Sequence, residues 1–383
     1  MANDKQNTNP NVPNKGNVPR LRFPEFTEDW NFKALDTLAP NISAGKDYAN
    51  EGNYKLYGST GVIGTTDKPS YKGEILLVAR VGANAGYLQY VNGEFGVTDN
   101  TLVVNAHDNN RYIYYYLQHY NLNRLVFGSG QPLITGGMLK KVPIGISNDC
   151  AEKNIIVKLL SLLDARIATQ NKIIEDLKKL KVAICNKLID NLVNHEPLIR
   201  FTEVYSKAGE GGTPETSKSE YYENGNIPFI KIDDLSNKYI ISNKDFITDL
   251  GLQKSSAWII PTHSLIYSNG ATIGAISINT YEVCTKQGIL GIVPKTSISV
   301  EYLYCLMSSN YFSKQVHRII THGTMATAYL KDINKIKVPI PCMQKQLEIA
   351  NTISSVTNKI GTELNILSLL LKQKQYLLQQ MFI

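Results

Sequence analysis

Two long stretches of the chain repeat apolar residues at steps of three, four and seven. They span residues 151–193 and 343–383, contain no proline, and are interrupted by one glycine, Gly361. A period close to 3.5 over this length predicts two long helices, each with a coiled-coil seam. The seams are matched in length, so we expect the helices to pair with each other. The seam positions are Ile156, Leu160, Leu163 and Ile167 in the first helix, and Ile349, Ile353, Val356 and Ile360 in the second.

The pattern between these helices consists of short β-branched runs separated by Gly, Asn and Asp, which predicts strands and turns. A shorter helical pattern follows the strands in each of the two intervening stretches. The predicted strands lie at 74–81, 100–105, 227–232 and 288–293, and the predicted short helices at 111–121 and 300–312.

The two intervening stretches repeat the same series of motifs. "RVGANAG" (Arg80–Gly86) in the first corresponds to "SNGATIG" (Ser268–Gly274) in the second, and a "VPI" segment precedes each long helix. The order is preserved and the offset changes by only a few residues, which indicates a tandem duplication. The glycines of the paired motifs predict tight turns or bulges.

These patterns predict an α+β protein. Two duplicated α/β globules at 21–149 and 196–342 are separated by two long antiparallel coiled-coil helices, at 150–195 and 343–383, in a pseudo-two-fold arrangement. Residues 1–20 are rich in Asn, Pro and Lys and are predicted to form a disordered tail.

Composition and motifs favour a binding protein over an enzyme. The 383 residues carry a net charge of +7, which is compatible with a nucleic-acid partner. The five cysteines lack metal-site spacing, and no phosphate loop, dinucleotide fingerprint or H-E-x-x-H motif occurs. Neither a secretory signal nor an apolar run long enough to span a bilayer is recognisable, so we expect a cytoplasmic protein.

Two similar globules held apart by helices suit a target with two separated half-sites, which double-stranded DNA presents about one turn apart. The globules differ in sequence, so the expected target is asymmetric. Polar loop residues suited to base edges are Arg80, Asn84 and Gln131 in the first globule and Asn269, Thr272 and Gln287 in the second. Lysines suited to phosphates are Lys46, Lys68, Lys72, Lys218, Lys231 and Lys286.

The motifs "LRFPEFTEDW" (Leu21–Trp30), "YGSTGVIG" (Tyr57–Gly64), "GGTPETS" (Gly211–Ser217) and both "VPI" segments resemble the specificity subunit of type I restriction–modification systems. The resemblance covers nearly the whole chain after the tail. It implies two target recognition domains and two helical spacers that set the gap in the target. The segments that begin the helices, "ISNDCAEKNII" and "PCMQKQLEI", depart from the usual "P-x-x-x-E-Q" pattern.

The same resemblance implies a non-catalytic chain that works within a larger complex. Two modification subunits would dock on the helical regions, where the seam residues are candidate contacts, and would bring S-adenosylmethionine and the adenine-methylating site. Two restriction subunits would add ATP- and Mg-dependent translocation and cleavage. No cofactor or metal is expected on this chain itself.

Two other functions remain open from the sequence. One is a fused bifunctional restriction enzyme, against which the missing catalytic motifs argue. The other is an interaction protein whose helices bind proteins and whose globules bind something other than DNA.

Overall fold

The computed structural model describes residues 17–126, 132–270, 272–321 and 326–383. The chain divides into two compact units. Unit 1 comprises Met1–Asn171 together with Asn365–Ile383, and unit 2 comprises Lys172–Leu364. Most of the predicted tail, residues 1–16, lies outside the described residues. The Asn17 carbonyl accepts a hydrogen bond from the Trp30 amide (2.7 Å).

Unit 1 contains, among its described residues, two four-stranded sheets and a separate strand pair. Its elements are β1 (Asn31–Ala34), α1 (Leu35–Leu38), β2 (Asn41–Ala44), β3 (Tyr54–Gly58), β4 (Gly61–Thr66), β5 (Tyr71–Lys72), β6 (Ile75–Ala79), β7 (Leu88–Val91), β8 (Glu94–Val97), β9 (Thr101–Asn105), α2 (Asn110–Tyr120), α3 (Gly136–Lys140), β10 (Pro143–Ile146) and the start of α4 (Cys150–His195). The sheet orders are β2-β9-β6-β7 and β4-β3-β8-β5, and β1 pairs with β10.

Strand β6 explains why the two sheets of unit 1 stack. Its residues are all buried, because side chains alternate between the faces of a strand and both faces are covered. Leu76 and Val78 join the core cluster that contains Tyr112 of α2. Leu77 joins a second cluster with Phe95 of β8. The uninterrupted apolar run therefore marks a strand at the centre of the unit.

Unit 2 contains, in the part of it that the structure describes, a five-stranded sheet, a three-stranded sheet and a strand pair. Its elements are β11 (Leu198–Arg200), β12 (Tyr205–Glu210), β13 (Ile227–Ile230), β14 (Tyr239–Ile240), β15 (Phe246–Ile247), α5 (Asp249–Gln253), β16 (Leu265–Ser268), β17 (Ile276–Asn279), β18 (Cys284–Thr285), β19 (Ile289–Pro294), α6 (Val300–Met307), α7 (Asn310–His317), α8 (Leu330–Ile333), β20 (Lys337–Pro339) and the start of α9 (Met343–Met381). The sheet orders are β12-β19-β16-β17-β14 and β15-β13-β18, and β11 pairs with β20.

The sheet topology of unit 1 recurs in unit 2. The order β2-β9-β6-β7 has its counterpart in β12-β19-β16-β17, to which unit 2 adds β14. The parallel pair β3·β8 corresponds to the parallel pair β13·β18. One prediction differs in detail, because the helix expected at 300–312 is split. Ser309 accepts a hydrogen bond from the Phe312 amide and so begins α7 as a new helix.

Each long helix packs within both units through its apolar seam. In unit 1, Ile156 and Leu160 of α4 share a core cluster with Leu378 of α9. In unit 2, Ile189 of α4 shares a core cluster with Ile349 of α9. The hydrophobic core of each unit therefore includes side chains from both long helices.

A buried carboxylate lies in the first turn of α4. Glu152, whose side chain is inaccessible to solvent, accepts hydrogen bonds from Arg22 Nε (2.6 Å), Arg22 Nη2 (2.9 Å) and Trp30 Nε1 (3.0 Å). Burial by itself raises the pKa of Glu152, but the hydrogen bonds from Arg22, Ser147 and Trp30 outweigh it and hold the pKa below its ordinary value. The motif "LRFPEFTEDW" therefore attaches the N-terminal segment to α4.

Unit 2 uses a neutral side chain in the first turn of α9. Gln346 is buried, accepts a hydrogen bond from the Ser299 amide (2.8 Å), and donates to the carbonyls of Ser297 (3.2 Å) and Pro341 (2.9 Å). Both helices thus begin with a buried polar residue that fastens neighbouring backbone or side chains. The two helices differ in that α4 uses an ion pair at this point and α9 uses an amide.

Candidate nucleic-acid interface

Equivalent loops follow the central strands β6 and β16. In unit 1 the Arg80 carbonyl accepts a hydrogen bond from the Ile134 amide (2.8 Å), and in unit 2 the Asn269 carbonyl accepts one from the Ala328 amide (2.9 Å). A returning segment of the chain therefore fixes both loops in the same way. The paired motifs of the sequence occupy these loops, with Ala271 outside the described residues.

The loop glycines act by two different physical means. Gly86 and Gly274 have φ values of +90° and +101°, in the region that favours glycine. Gly270 instead permits a close approach, because a Cβ there would lie 3.3 Å from Gly288 Cα. The turns predicted from the sequence are present, and Gly270 additionally lets the loop pass close to the turn before β19.

The candidate residues of unit 1 are spread over its surface. Arg80 is half-buried, and its Nε has no hydrogen-bond partner among the described residues. Asn84 is exposed and lines a cleft of about 590 Å³. Lys46 and Lys68 are exposed, whereas Lys72 makes an ion pair with Glu94 (2.8 Å). Gln131 lies outside the described residues.

Four candidates of unit 2 line one pocket of about 580 Å³. These are Lys231, Thr272, Lys286 and Gln287. The pocket is formed by the ends of β12 and β13, the loop after β16 and the turn before β19. The structure therefore brings together, in this unit, residues that are far apart in sequence.

The other two candidates of unit 2 have different surroundings. Asn269 is fully buried and donates a hydrogen bond to the Ala328 carbonyl (3.3 Å), so it holds the loop and is inaccessible to a base. Lys218 is exposed, 3.6 Å from a Glu215 carboxylate oxygen, and lies over the Tyr221 ring. Its contacts place it outside the pocket.

Two acidic residues of the pocket were missed by the sequence reasoning, which selected basic and amide side chains. Glu210 is the last residue of β12, and its Oε1 accepts a hydrogen bond from the Gly288 amide (2.7 Å). Asp233 follows the end of β13 and is exposed. Asp233 directly follows the strand predicted at 227–232, and this is the signal that could have found it; no strand was predicted before Glu210.

The seam residues proposed as subunit contacts are mostly buried in the chain's own cores. Ile156, Leu160, Leu163, Ile349, Ile353 and Ile360 are buried, and Ile167 and Val356 are half-buried. This burial counts against direct contact with another subunit, because these side chains are already covered. The apolar residues that α4 and α9 leave exposed include Leu162, Leu180 and Leu369.

The described part of the chain offers no group of His, Cys, Asp and Glu side chains suited to a metal ion. Across those same residues, no helix combines the length and apolar character needed to cross a membrane.

Comparisons with known proteins identify the family. The model of the type I restriction modification DNA specificity domain matches residues 27–179 and again residues 199–371. The specificity subunit of the type I restriction enzyme EcoR124I/EcoR124II from Escherichia coli is 26% identical over 72% of this chain and 71% of that protein. A putative specificity subunit from Haemophilus influenzae is 24% identical over 85% of this chain and 86% of its own length.

Solved structures show the same fold. The S subunit of a type I restriction–modification system from M. genitalium superposes with a TM-score of 0.58 at 20% identity, covering 96% of this chain and 99% of that one. A chain from a structure on complex assembly in the type I system has a TM-score of 0.57 at 14% identity, covering 92% and 97%. With two copies of the domain model matched and the mixed helix–strand fold shared, the chain belongs to the family of type I restriction–modification specificity subunits, the non-catalytic DNA-binding components that give these systems their sequence specificity.

Proposed function

We propose that this chain reads an asymmetric, bipartite target in double-stranded DNA, with one half-site for each unit. The observation that carries the proposal is the repeated sheet, in which the loop after the central strand is fixed in the same way but bears different side chains. Arg80 and Asn84 belong to this loop in unit 1, whereas unit 2 presents Thr272 beside Lys286 and Gln287. Equivalent scaffolds with different polar groups suit two different base sequences.

The two recognition domains are assigned to residues 21–149 and 196–342, and α4 and α9 act as the spacer between half-sites. An antiparallel pairing of these helices is supported in unit 1, where Lys374 Nζ lies 2.6 Å from Asp164 Oδ1 and Leu378 packs near Leu160. Between these two contacts the residue number rises along α4, from Leu160 to Asp164, and falls along α9, from Leu378 to Lys374, as in an antiparallel pair. Such a pairing suits a pseudo-two-fold arrangement of the duplicated domains.

The chain also serves as the scaffold for the other subunits of the system. Family membership supports modification and restriction subunits as partners, and we assign two copies of each to the complex. S-adenosylmethionine, ATP and Mg²⁺ would then act on those subunits. Exposed apolar side chains of the long helices, such as Leu162 and Leu369, offer contacts for them.

Salt dependence of DNA binding tests this function. The chain, assembled with its modification subunit, is titrated with a randomised duplex pool at several salt concentrations, and the bound duplexes are sequenced. The logarithm of the affinity should fall linearly with the logarithm of salt concentration, at about 0.9 per phosphate contacted. The sequenced duplexes should share a two-part motif. Salt-insensitive association with no preferred sequence would contradict the proposal.

The exposed lysines of unit 1 provide the matched comparison within this test. Replacing both Lys46 and Lys68 by Gln should lower the salt slope by about two, since each phosphate contact contributes about one. The same change at Lys179, which is paired with Glu175 on α4, should leave the slope unchanged.

A further inference from the structure

The pocket of unit 2 carries both signs of charge, which separates it from an ordinary basic patch. Lys231 and Lys286 line it together with Glu210 and Asp233. A site that binds only phosphate gains nothing from carboxylates, because a carboxylate repels the phosphate it faces. A base edge is different, since it presents hydrogen-bond donors as well as acceptors.

Two of the four charged side chains are already engaged by the protein. Lys231 Nζ lies 2.6 Å from Asp245 Oδ1, and Glu210 Oε1 accepts the Gly288 amide. The side chains of Lys286 and Asp233 make neither an ion pair nor a hydrogen bond with the residues the structure describes, and both are exposed. The pocket therefore offers one free cation and one free carboxylate within its described lining.

The backbone holds these two groups at the same end of the sheet. The Lys286 amide donates to the Ile230 carbonyl at the end of β13 (3.0 Å), and Asp233 lies three residues beyond that carbonyl. The close approach of Gly270 to Gly288 lets backbone form one side of the pocket, because neither residue adds a side chain there.

We infer that this pocket reads a G·C base pair in the major groove of one half-site, an assignment that rests on the proposed DNA-reading function. Lys286 Nζ donates to guanine O6 or N7, and the Asp233 carboxylate accepts from the cytosine amino group. In this assignment Lys286 contacts a base, whereas the sequence alone predicted a contact with a phosphate. Asp233 becomes a specificity-determining residue.

The test uses the full chain assembled with its modification subunit and a randomised duplex pool whose bound fraction is sequenced. The variants are Lys286→Gln and Asp233→Asn, each of which keeps the size of the side chain and removes its charge. Lys254→Gln and Glu282→Gln are the matched controls, because both residues are exposed in unit 2 and do not line the pocket. The remaining positions of the half-site read by unit 2 serve as an internal check that this unit is folded in each variant.

Both pocket variants should reduce discrimination at the same G·C position by about tenfold or more, in one half-site only. The other half-site, the salt slope and both controls should remain as in the wild type. A loss of affinity that is uniform across sequences, with the salt slope of Lys286→Gln lower by about one, would identify a phosphate contact and overturn the inference. Selection of the unchanged wild-type motif by both variants would also overturn the inference. If the wild-type complex itself selects no motif, the proposed function fails first.

Discussion

Removing the Glu152 carboxylate should destabilise unit 1 selectively. Glu152→Ala leaves the Arg22 guanidinium, whose side chain is only 12% exposed, without its counter-charge, and leaves Trp30 Nε1 without an acceptor. Breaking a buried ion pair in this way costs about 3–5 kcal/mol. Glu152→Gln keeps an acceptor for one donor, so its cost should be smaller, about 1.5–3 kcal/mol for the lost charge-assisted bond.

The same reasoning predicts strong coupling between the two charges. Arg22→Met combined with Glu152→Met leaves no buried charge unpaired, so the double variant should lose less stability than Glu152→Met alone. Glu94→Gln is the control within unit 1, because its carboxylate is exposed and pairs with the exposed Lys72. It should change the free energy of unfolding by less than about 0.5 kcal/mol.

Urea unfolding followed by tryptophan fluorescence measures these effects unit by unit. The chain has two tryptophans, Trp30 in unit 1 and Trp258 in unit 2. In a Trp258→Phe background the signal reports unit 1, which separates its transition from that of unit 2. A cost below about 1 kcal/mol for Glu152→Ala, or additive losses in the double variant, would show that the ion pair does not hold the N-terminal segment.

The pH dependence of stability has a defined sign. The folded-state pKa of Glu152 lies below its ordinary value, so the carboxylate stabilises the fold fully above about pH 4.3. This contribution is lost as pH falls through the lowered folded-state pKa. The wild type should therefore lose more stability than Glu152→Gln across that acidic range.

The spacer and a pair of glycines, one tightly packed and one not, give two further predictions. Inserting four residues into α4 at Thr169–Asn171 adds about 6 Å of helix, close to two base-pair steps of DNA. The insertion should change the gap in the target while both half-sites persist. Methylome sequencing of a host carrying the insertion measures the gap, and an unchanged gap counts against the role of α4 as a spacer. Gly211→Ala should cost about 1–3 kcal/mol or more in urea unfolding, because the new Cβ would lie 2.0 Å from the Thr285 carbonyl oxygen. Gly361→Ala, whose new Cβ would meet nothing within 4 Å beyond its chain neighbours and its own helix backbone, should instead stabilise α9 by about 0.5–1 kcal/mol. Equal effects at both glycines would contradict the packing argument.

The features that local pattern encodes were predictable from the sequence. The seam periodicity predicts α4 and α9. The continuous apolar run of β6 predicts a strand that is buried on both faces, whichever elements cover it. The duplicated motifs anticipated the equivalent loops. These signals depend on residues near one another in the chain, where spacing alone determines which side chains share a face.

The site depended on long-range contacts that the sequence does not encode locally. The residue type of Asn269 suggests a contact with a base. Its side chain is instead buried against Ala328, in a segment that packs on this loop but lies dozens of residues later in the chain. Lys231 was chosen as a free cation, yet its pairing with Asp245 follows from the adjacency of β13 and β15. The pocket around Asp233 is not apparent from the sequence, because its other lining residues come from segments far away in the chain.

Unit 1 is discontinuous in the chain, and this has a consequence for biosynthesis. Its core cluster contains Leu378, Met381 and Phe382, and the Tyr116 hydroxyl donates to the Ile383 carbonyl (2.9 Å). The ribosome must translate all of unit 2 before these residues exist, although most of unit 1 emerges first. Unit 1 therefore cannot complete its core until this last segment of α9 has been translated, long after most of the unit has been synthesised. A premature stop codon after residue 364 would consequently spare the sequence of the later unit and damage the earlier one.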